Sequence, residues 1–192
     1  MHFIYLHGFG SSAASFKAQL VRAFIEQRVE DSLFLIDLPF SPEEAMSLIE
    51  AHIASLKTDD WALIGSSLGG FYSTYLSEKY VKKGVLINPA VKAQVLLRAR
   101  LGDNENYQTG DVFLLTEAHL KQLQRLYVEK LKQPANLLLL TQTGDEVLDY
   151  RQGVAYYQGS EQVVIQGGNH GFDDYADYLE ATFNFLKGRK HG

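Results

Sequence analysis

Hydrophobic positions along the chain fall into short continuous runs, separated by longer stretches whose apolar residues recur with helical spacing. Most of the runs, such as "FIYL", "WALI" and "NLLLL", are apolar without alternation. That pattern is typical of strands covered on both faces of a parallel sheet. Six strands are predicted: His2–His7, Ser32–Asp37, Trp61–Gly65, Gly84–Asn88, Asn136–Gln142 and Gln162–Gln166.

Helical stretches lie between these strands. They cover Ala14–Arg28, Ser41–Leu56, Leu68–Tyr80, Thr116–Lys132, Glu146–Gln158 and Asp173–Lys187. The second opens with "SPEE", where Ser41 is a candidate N-cap, Pro42 takes the first helical position and Glu44 completes a capping box. Strands that alternate with helices predict an α/β fold, a mostly parallel sheet of about six strands with helices on both faces.

The length of 192 residues fits one domain, 1–192, and no repeat or linker interrupts it. The interval between strands lengthens only at 93–133, which holds the polar stretch "GDNENYQTGD", interpreted as a loop, and an amphipathic helix. Long connections of this kind often cover a site. We therefore expect a small lid insertion at 93–133.

Composition excludes several classes of function. The net charge of −5 argues against nucleic acid or an anionic membrane as a partner, because phosphate binding needs a concentrated basic surface. No apolar run approaches the roughly 20 residues of a membrane span, and no signal peptide is apparent. The absence of cysteine excludes disulfides, thiolate metal sites and a cysteine nucleophile. We expect a soluble cytoplasmic protein of undetermined oligomeric state.

The stretch "WALIGSSLGGFY" at 61–72 reads as strand, glycine turn and helix, and residues 65–69 match the G-x-S-x-G nucleophile elbow. Only Ser67 has glycines at both flanking positions, because the same frame around Ser66 would place Ile64 and Leu68 there. The elbow lifts the serine oxygen clear of the sheet, which predicts a nucleophile at Ser67. A tight turn with a helix-capping serine is the structural alternative.

A nucleophilic serine needs a base, and that base needs an acid to orient it, which in this fold class follow in the chain order Ser, acid, His. Asp145 in "TGDEVLDY" and His170 in "GGNHGFDD" each lie just past the end of a predicted strand. The sequence therefore predicts a Ser67–His170–Asp145 triad. Glu146 is instead expected to begin the next helix, where its charge suits the dipole.

The other histidines are expected to be structural or surface residues: His2, His7, His52, His119 and His191. No H-E-x-x-H pair occurs, and His170 with Asp173 is too small a set to hold zinc. We predict neither a metal nor a cofactor.

The opening stretch "HFIYLHGFGSSAASF" admits two interpretations. It fits the G-x-G-x-x-G/A dinucleotide fingerprint at three positions, Gly8, Gly10 and Ala13, and Asp37 could bind the ribose. That interpretation leaves the other loops at strand ends unexplained, whereas a hydrolase uses all of them. We predict that the backbone N–H groups of Phe9 and Leu68 form an oxyanion hole. A nucleotide-binding protein, and a non-catalytic small-molecule-binding protein on the same fold, are the alternatives.

Several segments closely resemble the YqiA-like bacterial esterases of the α/β-hydrolase superfamily. They are "YLHGF", "KAQL", "IGSSLGGFYSTYLSEKY", "LINPAV", "TGDEVLDYRQ" and "GGNHGFDDY", and the likeness spans nearly the whole chain. The resemblance implies a compact α/β-hydrolase with Ser67, Asp145 and His170 as its triad, and activity on carboxylic esters or thioesters. "GDNENYQTG" resembles the family's insertion. Gly10 departs from the expected asparagine, which leaves a backbone oxyanion role intact.

Together these features predict a serine hydrolase that cleaves a small-molecule carboxylic ester or acyl thioester through an acyl-enzyme. The short lid and nearby aromatic residues suggest a pocket for a small or medium acyl group. Those aromatic residues are Phe9, Phe71, Phe172 and Tyr107.

Overall fold

The computed structural model describes residues 1–189, so the end of the chain, with His191, lies outside the described residues. The described strands are β1 (His2–Leu6), β2 (Ser32–Phe34), β3 (Trp61–Ser66), β4 (Gly84–Ile87), β5 (Gly102–Glu105), β6 (Val112–Leu115), β7 (Leu137–Gln142) and β8 (Glu161–Ile165). Six of them form one sheet in the order β2-β1-β3-β4-β7-β8, and every pair in it is parallel. Strands β5 and β6 form a separate antiparallel hairpin.

The helices are α1 (Phe16–Glu26), α2 (Pro42–Ser55), α3 (Leu68–Tyr80), α4 (Ala93–Leu96), α5 (Glu117–Leu126), α6 (Tyr150–Tyr156) and α7 (Leu179–Leu186). Along β1, Phe3 and Tyr5 belong to a core cluster shared with α1 and α7, while Ile4 and Leu6 belong to one shared with α2 and α3. Both faces of the sheet are therefore covered, which explains the continuous apolar runs. In the part of the chain described here, no helix is long and apolar enough to cross a membrane.

This architecture confirms the predicted α/β fold, with differences at element ends. Strand β2 stops at Phe34, before the predicted end at Asp37, because the following residues bind the loop after β1: Leu38 donates its backbone N–H to His7, and Asp37 accepts one from Ala13. The helix predicted at Thr116–Lys132 already ends at Leu126. The helix predicted at Asp173–Lys187 is α-helical only from Leu179, after a 3-10 turn at Tyr175–Tyr178.

The predicted polar loop in 93–133 is instead the β5–β6 hairpin, closed by a turn at 106–111 in which Asn106 donates to the carbonyl of Asp111 at 2.8 Å. Along β6 burial alternates, so that Phe113 and Leu115 face inward. The ring of Phe113 packs against those of Phe9 and Phe40, at centroid distances of 5.3 and 4.7 Å. Because this packing holds β6 in place, the polar residues of β5 have a strand with which to pair. This tertiary contact overrides the low strand propensity of β5.

Candidate active site

Ser67 lies at the sharp turn between β3 and α3, with a φ of 53° and a ψ of −116°. A non-glycine residue in such a conformation costs about 1–3 kcal/mol and persists only where its surroundings fix it. Here the N–H of Ser67 donates to the carbonyl of Ile87 at 3.0 Å, and its carbonyl accepts from the N–H of Ala90 at 3.1 Å. The neighbouring strand and its following loop therefore hold the strained turn.

The glycines of the elbow are required by close backbone approach. A Cβ atom on Gly65 would lie 2.2 Å from the carbonyl oxygen of Gly69, and one on Gly69 would lie 1.9 Å from that of Leu6. The first turn of α3 thus packs directly on the end of β1. On the other side, a Cβ on Gly8 would lie 3.3 Å from the Cβ of Ser67, so the loop after β1 also touches the serine.

The structure brings the three predicted triad residues together. Nε2 of His170 lies 3.1 Å from Oγ of Ser67, and its Nδ1 lies 2.8 Å from Oδ2 of Asp145. The side chain of Asp145 is 1% exposed and that of His170 is 23% exposed. A carboxylate accepts at Nδ1, so the proton of a neutral imidazole lies there and Nε2 can accept from the serine hydroxyl.

Both oxygens of Asp145 are occupied. Its Oδ1 accepts the backbone N–H groups of Val147 at 2.9 Å and Leu148 at 2.8 Å, while Oδ2 meets the imidazole. The carboxylate is therefore oriented by its own loop, and α6 begins later, with Asp149 as its N-cap.

The sequence predicts that Glu146 begins a helix, and that prediction is wrong. The helix starts only at Tyr150, and Oε2 of Glu146 accepts the backbone N–H of His170 at 3.0 Å. Two adjacent carboxylates thus hold His170: Asp145 bonds to the imidazole ring, and Glu146 bonds to the backbone N–H. In the sequence, the signal that both residues belong to the site is the pair of successive acids at 145 and 146, shortly after the end of a strand.

Asn88 is a second residue that sequence reasoning missed, because the sequence predicts only a strand end there. It is buried, and its Nδ2 donates to the carbonyls of Asn169 at 3.0 Å and His170 at 3.3 Å. Its Oδ1 accepts the N–H of Gln142 at 3.0 Å, and Oε1 of Gln142 accepts the N–H of Asn169 at 3.0 Å. Strand ends β4 and β7 are thereby tied to the histidine loop.

Lys17 holds the same loop from α1, donating to the carbonyl of Gly171. Burial lowers the pKa of Lys17, and the negative charges of Asp173 and Asp145 act against that shift.

The loop after β1 is oriented by His7, which is buried. Leu38 donates its N–H to Nε2 at 2.9 Å, so Nδ1 carries the proton and donates to the carbonyl of Gly8 at 2.9 Å. Burial lowers the pKa of His7, which favours this neutral form. In a trans peptide the carbonyl and the next N–H point in opposite directions, so the bond to Gly8 also sets the direction of the Phe9 N–H.

Phe9 and Leu68 line a cavity of about 330 Å³ together with Ser67 and His170. As the first residue of α3, Leu68 has no acceptor for its N–H within the helix. The remaining wall is Ala90, Ala93, Leu96, Leu97, Ala99, Arg100, Tyr107, Val147 and Leu148. Of the predicted pocket aromatics, Phe9 and Tyr107 line it, whereas Phe71 and Phe172 are buried in the core, so that part of the prediction is wrong.

The β5–β6 hairpin is fastened to the loop after β1. The N–H of Tyr107 donates to the carbonyl of Gly10 at 2.7 Å, and Nδ2 of Asn106 donates to that of Ser11 at 2.9 Å. Gly10 has a φ of 63°, and a Cβ there would lie 3.0 Å from the ring of Tyr107. Gly10 is therefore fitted to this contact.

The nucleotide-binding interpretation finds less support. Asp37, needed for a ribose, instead accepts the backbone N–H of Ala13 at 2.7 Å. Within residues 1–189, no group of three or more potential ligands could hold a metal ion. Of the other histidines, His119 forms a capping box with Thr116 at the start of α5. The Nε2 atoms of His2 and His52 lie 2.8 Å apart, and burial is the main cause that lowers the pKa of each ring.

Comparison with known families matches residues 2–187 to the Uncharacterised protein family (UPF0227). The chain therefore belongs to this YqiA-like family, as its motifs predicted.

Solved structures with similar folds include Est1E from Butyrivibrio proteoclasticus, with a TM-score of 0.72, 16% identity, and 97% of this chain and 87% of that chain covered. Another is alpha/beta hydrolase domain-containing protein 10 from mouse, with a TM-score of 0.73, 16% identity and coverages of 97% and 89%. A third is the Paleococcus ferrophilus monoacylglycerol lipase, with a TM-score of 0.69, 16% identity and coverages of 97% and 94%. The protein thus has the α/β-hydrolase fold.

Proposed function

We propose that this protein is a serine hydrolase that cleaves a carboxylic ester or an acyl thioester through an acyl-enzyme. The observation that carries the proposal is the continuous hydrogen-bonded chain from Ser67 through His170 to the buried Asp145, at the wall of a cavity. A nucleophile, a base and an orienting acid within bonding distance are what covalent catalysis by serine requires.

In the first half of the reaction, Oγ of Ser67 attacks the substrate carbonyl while Nε2 of His170 takes its proton. Asp145 stabilises the imidazolium that forms. The N–H groups of Phe9 and Leu68 bind the oxyanion of the tetrahedral intermediate, and each such donor is worth about 3 kcal/mol. The intermediate collapses, His170 gives the proton to the leaving alcohol or thiol, and the acyl group remains on Ser67.

In the second half, a water molecule enters as the leaving group departs. His170 takes a proton from that water as it attacks the acyl-enzyme, and the oxyanion again lies at the same two N–H groups. Collapse of the second intermediate releases the acid, and His170 returns its proton to Ser67. His170 carries every transferred proton, so the mechanism uses no cofactor.

The segment 93–133 acts in this proposal as the lid of a single domain. Its residues Ala93, Leu96, Leu97 and Ala99 supply aliphatic wall to the cavity, and the hairpin adds Tyr107. A cavity of about 330 Å³ suits a small or medium acyl group.

The test is labelling with a fluorophosphonate, which traps an activated serine, followed by location of the modified peptide by mass spectrometry. Ser67→Ala and His170→Ala are compared with Ser66→Ala, a matched control at the adjacent serine. We expect label on Ser67 in the wild type and the control, and none in the other two variants. Hydrolysis of 4-nitrophenyl butyrate should fall by about 10⁴-fold or more in Ser67→Ala.

Circular dichroism of each variant separates loss of chemistry from loss of fold. A folded Ser67→Ala protein that still hydrolyses the ester would overturn the proposal, as would a folded wild type that takes no label. The second result would favour a protein that binds a small ligand without converting it.

A further inference from the structure

The cavity beside Ser67 contains a charge that the proposed chemistry does not use. Its wall is formed by aliphatic and aromatic side chains, the triad residues Ser67 and His170, and one arginine, Arg100. Arg100 ends the 3-10 turn that follows α4 and is exposed, so its side chain lies where the cavity meets solvent.

Arg100 has no carboxylate partner among residues 1–189. Its Nε donates to Oδ1 of Asn104 at 3.3 Å and its Nη2 donates to the hydroxyl of Tyr107 at 2.7 Å, and both acceptors are neutral. The nearby Arg98, by contrast, pairs with Glu117 at 3.0 Å. A guanidinium has five N–H donors, so Arg100 retains donors for a ligand.

The surroundings strengthen the effect of this charge. A cleft with apolar walls and charge of one sign focuses the electric field and raises the local concentration of the opposite ion. The chain as a whole carries a net charge of −5, so the cation at the cavity is not part of a generally basic surface.

We propose that the substrate carries an anionic group, a carboxylate or a phosphate, which Arg100 binds while the ester or thioester carbonyl lies at Ser67. This inference rests on the proposed hydrolase function and names its substrate class. Guanidinium binds such anions through charge-assisted and often paired hydrogen bonds. The anion belongs either to the acyl group or to the leaving group, and the test separates these two sources.

A purely structural role for Arg100 has a different signature. Its two bonds tie the 3-10 turn to the β5–β6 hairpin, so a substitution could loosen the cavity wall. Loosening would alter the hydrolysis of charged and uncharged substrates alike. The preference between them, expressed as a ratio of kcat/KM values, reports the charge alone.

The experiment uses two pairs of esters that differ only in charge. The first is the 4-nitrophenyl monoester of adipic acid and the same ester with its carboxylate replaced by a carboxamide. The second is 3-(butyryloxy)benzoate and 3-(butyryloxy)benzamide, in which the charge lies on the leaving group. We expect the wild type to prefer the anionic member of one pair by about fivefold, the upper range for a partner of an exposed charge.

The variants are Arg100→Gln, Arg100→Lys and the matched control Arg98→Gln, whose parent side chain does not line the cavity. Arg100→Gln should abolish the preference, Arg100→Lys should retain part of it, and Arg98→Gln should leave it unchanged. Added salt should weaken the wild-type preference and not affect Arg100→Gln, because exposed charges are screened.

The outcomes distinguish the two proposals. If the wild type hydrolyses neither member of either pair, the proposed function fails and the inference fails with it. If the wild type hydrolyses the esters without preferring the anionic ones, or if Arg100→Gln keeps the preference, the serine hydrolase stands and the role of Arg100 is refuted.

Discussion

The strand-end loops that carry Ser67, Asp145 and His170 differ from the segment 93–133, part of which lines the cavity beside Ser67 and His170. The loops are fixed by buried polar groups that bond to the main chain, such as Asn88 and Asp145. The segment, in contrast, leaves several large apolar side chains more than half exposed. These are Val95, Tyr107, Val112 and Leu114.

This difference assigns different tasks to the two regions. Catalytic groups must be held within a fraction of an ångström, which buried and mutually bonded side chains provide. A segment whose large apolar side chains are partly exposed can change the lining of the cavity without disturbing that geometry. Substitutions in the strand-end loops should therefore reduce kcat or stability, whereas those in 93–133 should mainly change KM and substrate preference.

The largest expected contrast is between two glycines, one from each region. In Gly69→Ala the new Cβ would lie 1.9 Å from the carbonyl oxygen of Leu6, so either the first turn of α3 or the end of β1 must move. We expect a loss of about 3 kcal/mol or more of unfolding free energy, or no folded protein. In Gly102→Ala nothing lies within 4 Å, and only the φ of 104° opposes the change, at about 1–2 kcal/mol.

Urea denaturation of the two variants measures this contrast. Equal stability of Gly69→Ala and Gly102→Ala would show that the elbow tolerates displacement, and the distinction between the regions would be lost.

The same distinction explains what could be predicted from the sequence. Ser67, Asp145 and His170 each come at or shortly after the end of an apolar strand, so local pattern and chain order predicted them as candidates. Parallel strands then brought their carboxyl ends to one edge of the sheet. The family match and the shared fold support the framework on which those predictions rest.

The residues that were missed act across long stretches of chain. Asn88 reaches the main chain 81 and 82 residues further on, and Glu146 reaches it 24 residues further on. No local spacing encodes contacts across such separations, although the two successive acids at 145 and 146 indicate a polar strand end. The sequence predicts a loop in place of the β5–β6 hairpin because "GDNE" has little strand propensity. The pairing of the two strands depends on Phe113 packing against the loop after β1.

A smaller effect is expected from a matched pair of buried asparagines. Asn88→Ala removes two donors to the histidine loop and the acceptor for Gln142, so we expect kcat to fall by about tenfold to a hundredfold through misplacement of His170. Asn104→Ala removes bonds to the carbonyls of Arg100 and Gly102 in the segment 93–133. Here kcat should change by less than about threefold, with the effect appearing in KM.

Steady-state kinetics on 4-nitrophenyl butyrate, with thermal unfolding of both variants, tests this pair. Fluorophosphonate labelling rates give an independent reading of the serine. If Asn104→Ala lowers kcat as much as Asn88→Ala does, the segment 93–133 takes part in positioning the triad, and the proposed division of tasks is wrong.

The smallest expected effect concerns pH and His7, which orients the loop that the two regions share. Because burial lowers the pKa of folded His7 below its ordinary value of 6.5, the unfolded chain binds a proton first as the pH falls. The stabilisation is therefore complete above about pH 6.5 and is lost as the pH drops towards the folded pKa, at no more than about 1.4 kcal/mol per pH unit for one group. His2 and His52, whose pKa values are also lowered, add a dependence of the same sign at the opposite end of β1.

Urea denaturation at about pH 7.5 and pH 5.5 should show a smaller loss of unfolding free energy in His7→Gln than in the wild type. His52→Gln measures separately the part of the pH dependence that comes from the opposite end of β1. An unchanged pH dependence in His7→Gln would mean that protonation of His7 does not disturb the loop it binds, and that the loop is held mainly by the hairpin.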